Sequence, residues 1–291
     1  DSRTFYQQNP NVGLLTRIGD LFASADSLDV KGYNVFTASD GSNEHYAVFD
    51  VDGTVGLYSI DPATAETVLL KELPAPAAGG NYMDLTVTEG SSVELREFVV
   101  YEQSAADAFQ LQVVELDPAD STPGMALLAF DDTLDVTGLE AGDVLVGFDE
   151  RTTNPGGTNN GLYAVAESGR IYSLDATAAA TEVGELSETL SGMRFDIDFN
   201  PRADLLRIIG DAGQNLRVNL DQDRVLAEEA RNVGFAFVDG TVRLGDTMEP
   251  IPVAVGYRAA PQQLMDATPS LDFQYVIDAR NSGLARVAVP N

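Results

Sequence analysis

Cysteine is absent from the 291 residues, and histidine occurs once. The first absence excludes disulfides, thiolate metal sites and a cysteine nucleophile. The second means that any Ser-His-Asp arrangement would have to use His45, and that a histidine-rich zinc site is excluded. His45 lies in the polar stretch SDGSNEHY before an apolar run, where a solvent-exposed loop residue is expected. Basic residues are also scarce. Seventeen Lys and Arg stand against 46 Asp and Glu, a formal net charge of −29. A binder of phosphates needs a basic face, so nucleic acid and anionic membranes are excluded as partners. No apolar run approaches the ~20 residues of a membrane-spanning helix, which argues against membrane insertion. Helical patterns are few, with only Asp223 to Ala230 and Gln262 to Asp266 able to form a turn or two.

What remains is a repeat. Five segments each carry two alternating apolar stretches around a turn rich in Gly, Asp, Asn or Ser, the pattern of a β-hairpin. They are YAVFDVDGTVGLYSID ending at Asp61, FVVYEQSAADAFQLQVVELD ending at Asp117, LYAVAESGRIYSLD ending at Asp175, LRIIGDAGQNLRVNLD ending at Asp221, and FQYVIDARNSGLARVAV ending at Val289. Successive ends lie 56, 58, 46 and 68 residues apart. Such spacing predicts an all-β fold, a β-propeller of five blades, or six if the longest interval, around GFAFVDGTVRLGD from Gly234, contains an extra short blade.

Each hairpin has a short apolar strand upstream, beginning at Tyr33, Tyr82, Val144, Arg194 and Val253. The first four also have one downstream: ETVLLKEL, MALLAF, TEVGEL and VLAEE. The expected blades cover residues 30–73, 82–130, 144–187, 194–230 and 250–291 of a single domain. The fifth lacks a downstream strand, and VGLLTRIG, residues 12–19, is expected to close it and remove the open sheet edge. The same strand could instead complete the last blade of a neighbouring molecule and link subunits head to tail.

Chemistry at such a ring would rest on carboxylates, oxygen-ligated metals and arginine. The upstream strands carry Asp84, Asp149, Asp196 and Asp198, whose convergence at one end of a channel would make an oxygen-rich metal site, with calcium the best-suited ion. Asn215, Arg217 and Asn219 alternate with Leu216, Val218 and Leu220 and therefore share a strand face. Together with Tyr257 and Arg258 they form a candidate ligand-binding set. The alternative for the Asn215 to Asn219 face is a structural, inter-blade hydrogen-bond and ion-pair network in which Arg217 holds a carboxylate or main-chain carbonyls.

The segments GLYAVAESGRIYSLDATAAATEVGE and LSGMRFDIDFNPRADLLRIIGDAGQNLRVNLD, most specifically Asp198 to Pro201 and Gly213 to Arg217, resemble an uncharacterised family of secreted bacterial proteins. The match runs from about Phe109 to Asp221 and continues more loosely through VAVGYRAAPQQ and FQYVIDARNSGLARV. It implies an exported, propeller-like protein, extracellular or periplasmic after signal removal, with no established activity. Residues from about Asn11 to Leu73 are similar to the end of that family's domain, as if the chain were circularly permuted or cut from a tandem array. The leading expectation is a noncatalytic binding or surface-assembly module with a glycan or protein ligand. A calcium-dependent hydrolase of the lactonase or phosphatase type, and a subunit of an extracellular filament, are the alternatives.

Overall fold

The computed structural model describes residues 4–9, 14–22, 25, 27–38, 42–76, 80–89, 96–105, 108–116, 132–151, 161–200, 203–222, 232–239, 252–258, 273–278 and 283–287. Every regular element among them is a strand. Four antiparallel sheets have four strands each, in simple up-and-down order. The first holds β3 (Leu28–Thr37), β4 (Asn43–Val51), β5 (Thr54–Ile60) and β6 (Thr67–Glu72); the second holds β7 (Asn81–Glu89), β8 (Arg96–Ala105), β9 (Ala108–Leu116) and β10 (Asp132–Asp135). In the third are β11 (Leu145–Arg151), β12 (Gly161–Ala166), β13 (Arg170–Leu174) and β14 (Ala180–Glu185), and in the fourth β15 (Phe195–Asn200), β16 (Leu205–Gly210), β17 (Asn215–Val218) and β18 (Ala236–Val238). A three-stranded sheet follows, of β19 (Pro252–Arg258), β20 (Phe273–Asp278) and β21 (Gly283–Val287). At the other end of the chain, β1 (Thr4–Asn9) and β2 (Leu14–Asp20) form a separate hairpin that lies alongside β21.

Local chemistry explains the hairpins and the recurrent Asp. The β4–β5 loop is Asp52-Gly53, both at positive φ (53° and 86°), as a two-residue turn matching the strand twist requires. After the third strand, the Asp61 carboxylate accepts from the Ala63 N–H at 2.7 Å, and that of Asp175 accepts from the N–H groups of Thr177 (2.8 Å) and Ala179 (3.1 Å). Each capped turn reaches a left-handed alanine, Ala65 or Ala178, before the fourth strand begins. The aliphatic-Asp step is therefore a turn cap in the first and third sheets.

Strands such as β4 and β16 bury both faces, whereas outer strands such as β6 and β14 are partly open, and the cores lie between sheets. On β4, Ala47 and Phe49 pack with Tyr33, Ala254 and Ile277, while Tyr46 and Val48 pack with Tyr82, Leu85 and Phe98 of the second sheet. Tyr101 and Leu111 meet Phe148, Ala164 and Tyr172 between sheets two and three, and Val165 and Ile171 meet Ile197, Leu206 and Ile208 between sheets three and four. Each fully buried side chain of this size contributes ~1.5–3 kcal/mol, so the seams hold the blades together. The first strands follow one another as neighbours: β3 with β7, β7 with β11, β11 with β15, β15 with β19, and β19 with β3. At Gly32 a Cβ would stand 2.6 Å from the Leu85 main-chain N, so a side chain there would force β3 and β7 apart.

Several strand expectations are corrected. The fourth strand of the fourth sheet is β18, built from the GFAFV segment, and that of the second is β10; VLAEE and MALLAF lie outside the described residues, as do the two stretches read as helical. The expected closing strand, residues 12–19, falls largely on β2, whose ladder partner is β1, and β1 runs beside β21 more extensively than β2 does.

Candidate functional site

The first strand of each blade sheet lies at the sheet's end, so its outer edge has N–H groups without a ladder partner in its own sheet. Buried amide donors need acceptors. Aspartates supply them. Asp84 on β7 accepts from Phe148 N–H on β11 at 2.9 Å, Asp149 on β11 accepts from Phe199 N–H on β15 at 2.7 Å, and Asp196 on β15 accepts from Val255 N–H on β19. The other oxygen of Asp149 takes the Thr86 hydroxyl at 2.7 Å and the Asn34 amide at 3.2 Å, which brings in β7 and β3. Asp84 also hydrogen-bonds the Asp196 carboxyl, and Asp149 that of Asp198. All four aspartates are at most 5% exposed. The four expected metal ligands are thus brought together in one knot that touches every first strand.

The knot is a set of carboxyl staples. Burial, and then the charge of Asp196, hold Asp84 well above the ordinary carboxylate range; burial also raises Asp196 and Asp149. A shared proton lets two carboxyls lie together without a cation. Calcium takes six to eight oxygens at roughly 2.3–2.6 Å, whereas Asp84, Asp149 and Asp196 direct oxygens at main-chain N–H groups. No group of three or more His, Cys, Asp or Glu among the described residues is arranged to hold a metal.

The ligand set of the fourth sheet separates into three. Arg217 grips Asp239 with two bonds of 2.7 Å, and Arg207, 1% exposed, reaches the same carboxylate at 2.6 Å and the Asn215 side chain at 2.5 Å. Burial alone would raise Asp239, but the two guanidinium groups outweigh it and hold its carboxyl below the usual range. Asn219 is fully buried and its amide bonds Asp221 main-chain groups at 3.0 and 3.1 Å. Asn215 and Arg217 therefore tie β16 and β17 to the residue that follows β18, and Asn219 fixes the turn after β17. Tyr257 and Arg258 stand at the end of β19, opposite Gln274 and Phe273 on β20. Sequence reasoning missed Arg207 and Asp239, the partners that complete the network; the isolated arginine inside the apolar LLRIIG run was the available signal.

His45 is a second correction. It is 2% exposed on β4, with Nδ1 2.6 Å from the Tyr33 hydroxyl. Its stretch reads polar because the strand begins at Asn43, two residues before it. The histidine stands at the base of an open groove of about 540 Å³, lined also by Glu44, Tyr46, Ile60, Asp61, Glu66 and Val68. Glu44 receives Arg96 through bonds of 2.7 and 2.8 Å and the Tyr46 hydroxyl at 2.6 Å.

Radially arranged up-and-down sheets whose first strands adjoin one another define a β-propeller. Residues 125–291 match the family described as domain of unknown function DUF4394, and the chain, matched over more than half its length, belongs to that family. No curated protein matches it. Among solved structures it is similar to an auxiliary nutrient binding protein from Bacteroides thetaiotaomicron, with a TM-score of 0.49 and 14% identity over 91% of this chain and 59% of that one. A second auxiliary nutrient binding protein, from Bacteroides ovatus, gives 0.48 and 14% over 90% and 58%. A chain of a nidogen/laminin complex gives 0.46 and 12% over 93% and 82%. This chain thus spans less than two thirds of the two nutrient binding proteins. Among the described residues no helix is long and apolar enough to cross a membrane.

Proposed function

We propose that this chain is a noncatalytic, exported β-propeller of five blades that serves as a binding or surface-assembly module. The observation that carries the reading is the commitment of the axial carboxyls: three of the four aspartates each accept a main-chain N–H from the adjoining sheet. Side chains engaged in this way hold a ring together and are poorly placed to activate water on a metal. The adjacency of β19 and β3 and the hairpin beside β21 favour five blades with the last closed by the N-terminal segment. On this reading, residues 1–124, outside the matched span, include the family domain's end carried to the front by permutation or by a cut within a tandem array. The ligand is a glycan or a protein surface, and the groove above His45 is the concavity offered to it.

The test pairs two measurements on the whole chain. Glycan and peptide arrays should yield a saturable ligand whose binding weakens on substitution in the groove, and ester, lactone and phosphomonoester panels with calcium should show no turnover. Turnover that requires calcium and disappears in Asp149→Asn would replace this reading with a hydrolase.

A further inference from the structure

The groove above His45 is uneven in charge. Its lining contains the carboxylates of Glu44, Asp61 and Glu66 and no lysine or arginine. Glu44 is matched by Arg96 at the groove's margin. Asp61 and Glu66, by contrast, are exposed, and Asp61 is held below the usual carboxylate range chiefly by the Ala63 N–H, so it stays ionised at neutral pH. The same lining includes apolar Ile60, which is buried, and Val68, which is 39% exposed. The volume, about 540 Å³, falls within the ~300–1,000 Å³ common for small-ligand sites.

We propose that this groove binds an organic cation, an ammonium group on a short aliphatic stem of lysine side-chain size, with the ammonium at Asp61 and Glu66 and the stem along Ile60 and Val68. The proposal rests on the binding-module reading and names the chemistry of its site. An ammonium has three donors and no acceptor, matching a lining whose outer polar groups are carboxylates. A stem of four or five methylenes gains by covering the exposed Val68. The net charge of −29 steers cations toward the whole surface, so specificity must come from the groove, and the test has to separate it from that general attraction.

The single histidine provides the probe. Its imidazole Cε1–H gives one proton resonance in the whole protein, located at the base of the groove. Titration with 1,5-diaminopentane at fixed ionic strength should shift that resonance saturably, with a dissociation constant on the order of 1 mM. Asp61→Asn, which keeps an acceptor for the capping Ala63 N–H, and Glu66→Gln, both at exposed positions, should each weaken binding by about fivefold. Glu188→Gln, an exposed acid away from the groove, should leave it unchanged. Absence of a saturable shift overturns the proposal, as does a shift indifferent to the groove substitutions, which would mark a diffuse ion atmosphere. Equal responses to 1-pentanol or pentanoate would remove the cation from the proposal while leaving the groove a binding site; silence toward every probe would remove the groove itself.

Discussion

Asp149 carries more of the architecture than any other single side chain described. It receives Phe199 N–H, Thr86 Oγ1 and Asn34 Nδ2 from three different first strands. Asp149→Ala would leave all three buried donors unmatched, and ~3–5 kcal/mol of stability should be lost, measured by denaturant unfolding. The pH dependence follows from Asp84, whose carboxyl is raised by burial and by Asp196. A raised group binds its proton more tightly in the folded than in the unfolded chain, so stability is greatest below the unfolded value near 3.8 and declines as pH rises through the folded one. Glu150, pushed up to about 7 by burial and by the charges of Asp149 and Glu97, acts in the same direction. Melting temperatures should therefore fall from pH 5 to pH 8. In Asp84→Asn, which keeps an acceptor for Phe148 but loses the one for Leu85 N–H and removes the titrating group, overall stability should drop and the fall with pH should be shallower; an unchanged slope would place the linkage elsewhere. High salt separates this buried effect from the screenable repulsion of the acidic surface.

At the scale of the element, the fourth sheet shows how much could be read from residues alone. Alternation in QNLRVNLD correctly put Asn215, Arg217 and Asn219 on β17 and its continuation, and the structural alternative for Arg217 describes the two hydrogen bonds it donates to the Asp239 carboxylate. The partner could not be read, because Asp239 lies 22 residues away beyond a stretch whose strand pattern pointed to VLAEE. The short β18 is selected instead by contacts distant in sequence: Gly234 N–H bonds Asn219 O at 2.8 Å, and Ala236 N–H bonds the Ser187 hydroxyl at 2.9 Å. A Cβ on Gly234, at φ 90°, would stand 1.9 Å from Glu185 O, so Gly234→Ala should cost ~2–4 kcal/mol and loosen β18, seen as faster amide exchange from Leu216 to Val218. Likewise Asp239→Asn leaves Arg207 buried and poorly matched, and should cost ~3 kcal/mol, while Arg217→Lys, losing the planar fork, should cost less. The aspartates of β7, β11 and β15 were recognisable as a convergent set from their place in each first strand. Their occupation by neighbouring N–H groups was not, since periodicity says which face a side chain takes and nothing about which amides of the next sheet lie within its reach. His45 failed for a related reason: its polar neighbours suggested a loop, but it lies buried on β4 with its Nδ1 against the hydroxyl of Tyr33 on the adjacent strand.

For the whole molecule, the hydrophobic seams and the axial knot do complementary work. Apolar clusters between sheets supply the bulk of the attraction, and the knot specifies how the inner edges meet. On the five-blade proposal, in which the β1–β2 hairpin closes the last blade of its own molecule, light scattering should show a monomer over a wide concentration range. A chain beginning at Leu21 should then unfold earlier and self-associate through the uncovered β21, and a peptide of residues 1–20 should reverse both effects. Concentration-dependent chains of the intact protein would instead show head-to-tail exchange. The central claim, that the buried aspartates staple the ring by accepting main-chain N–H groups where a metal site would need free carboxylates, is tested most directly by thermal unfolding at neutral pH in calcium and in chelator. The account predicts the same melting temperature in both, whereas a rise in calcium that vanishes in Asp149→Asn would contradict it.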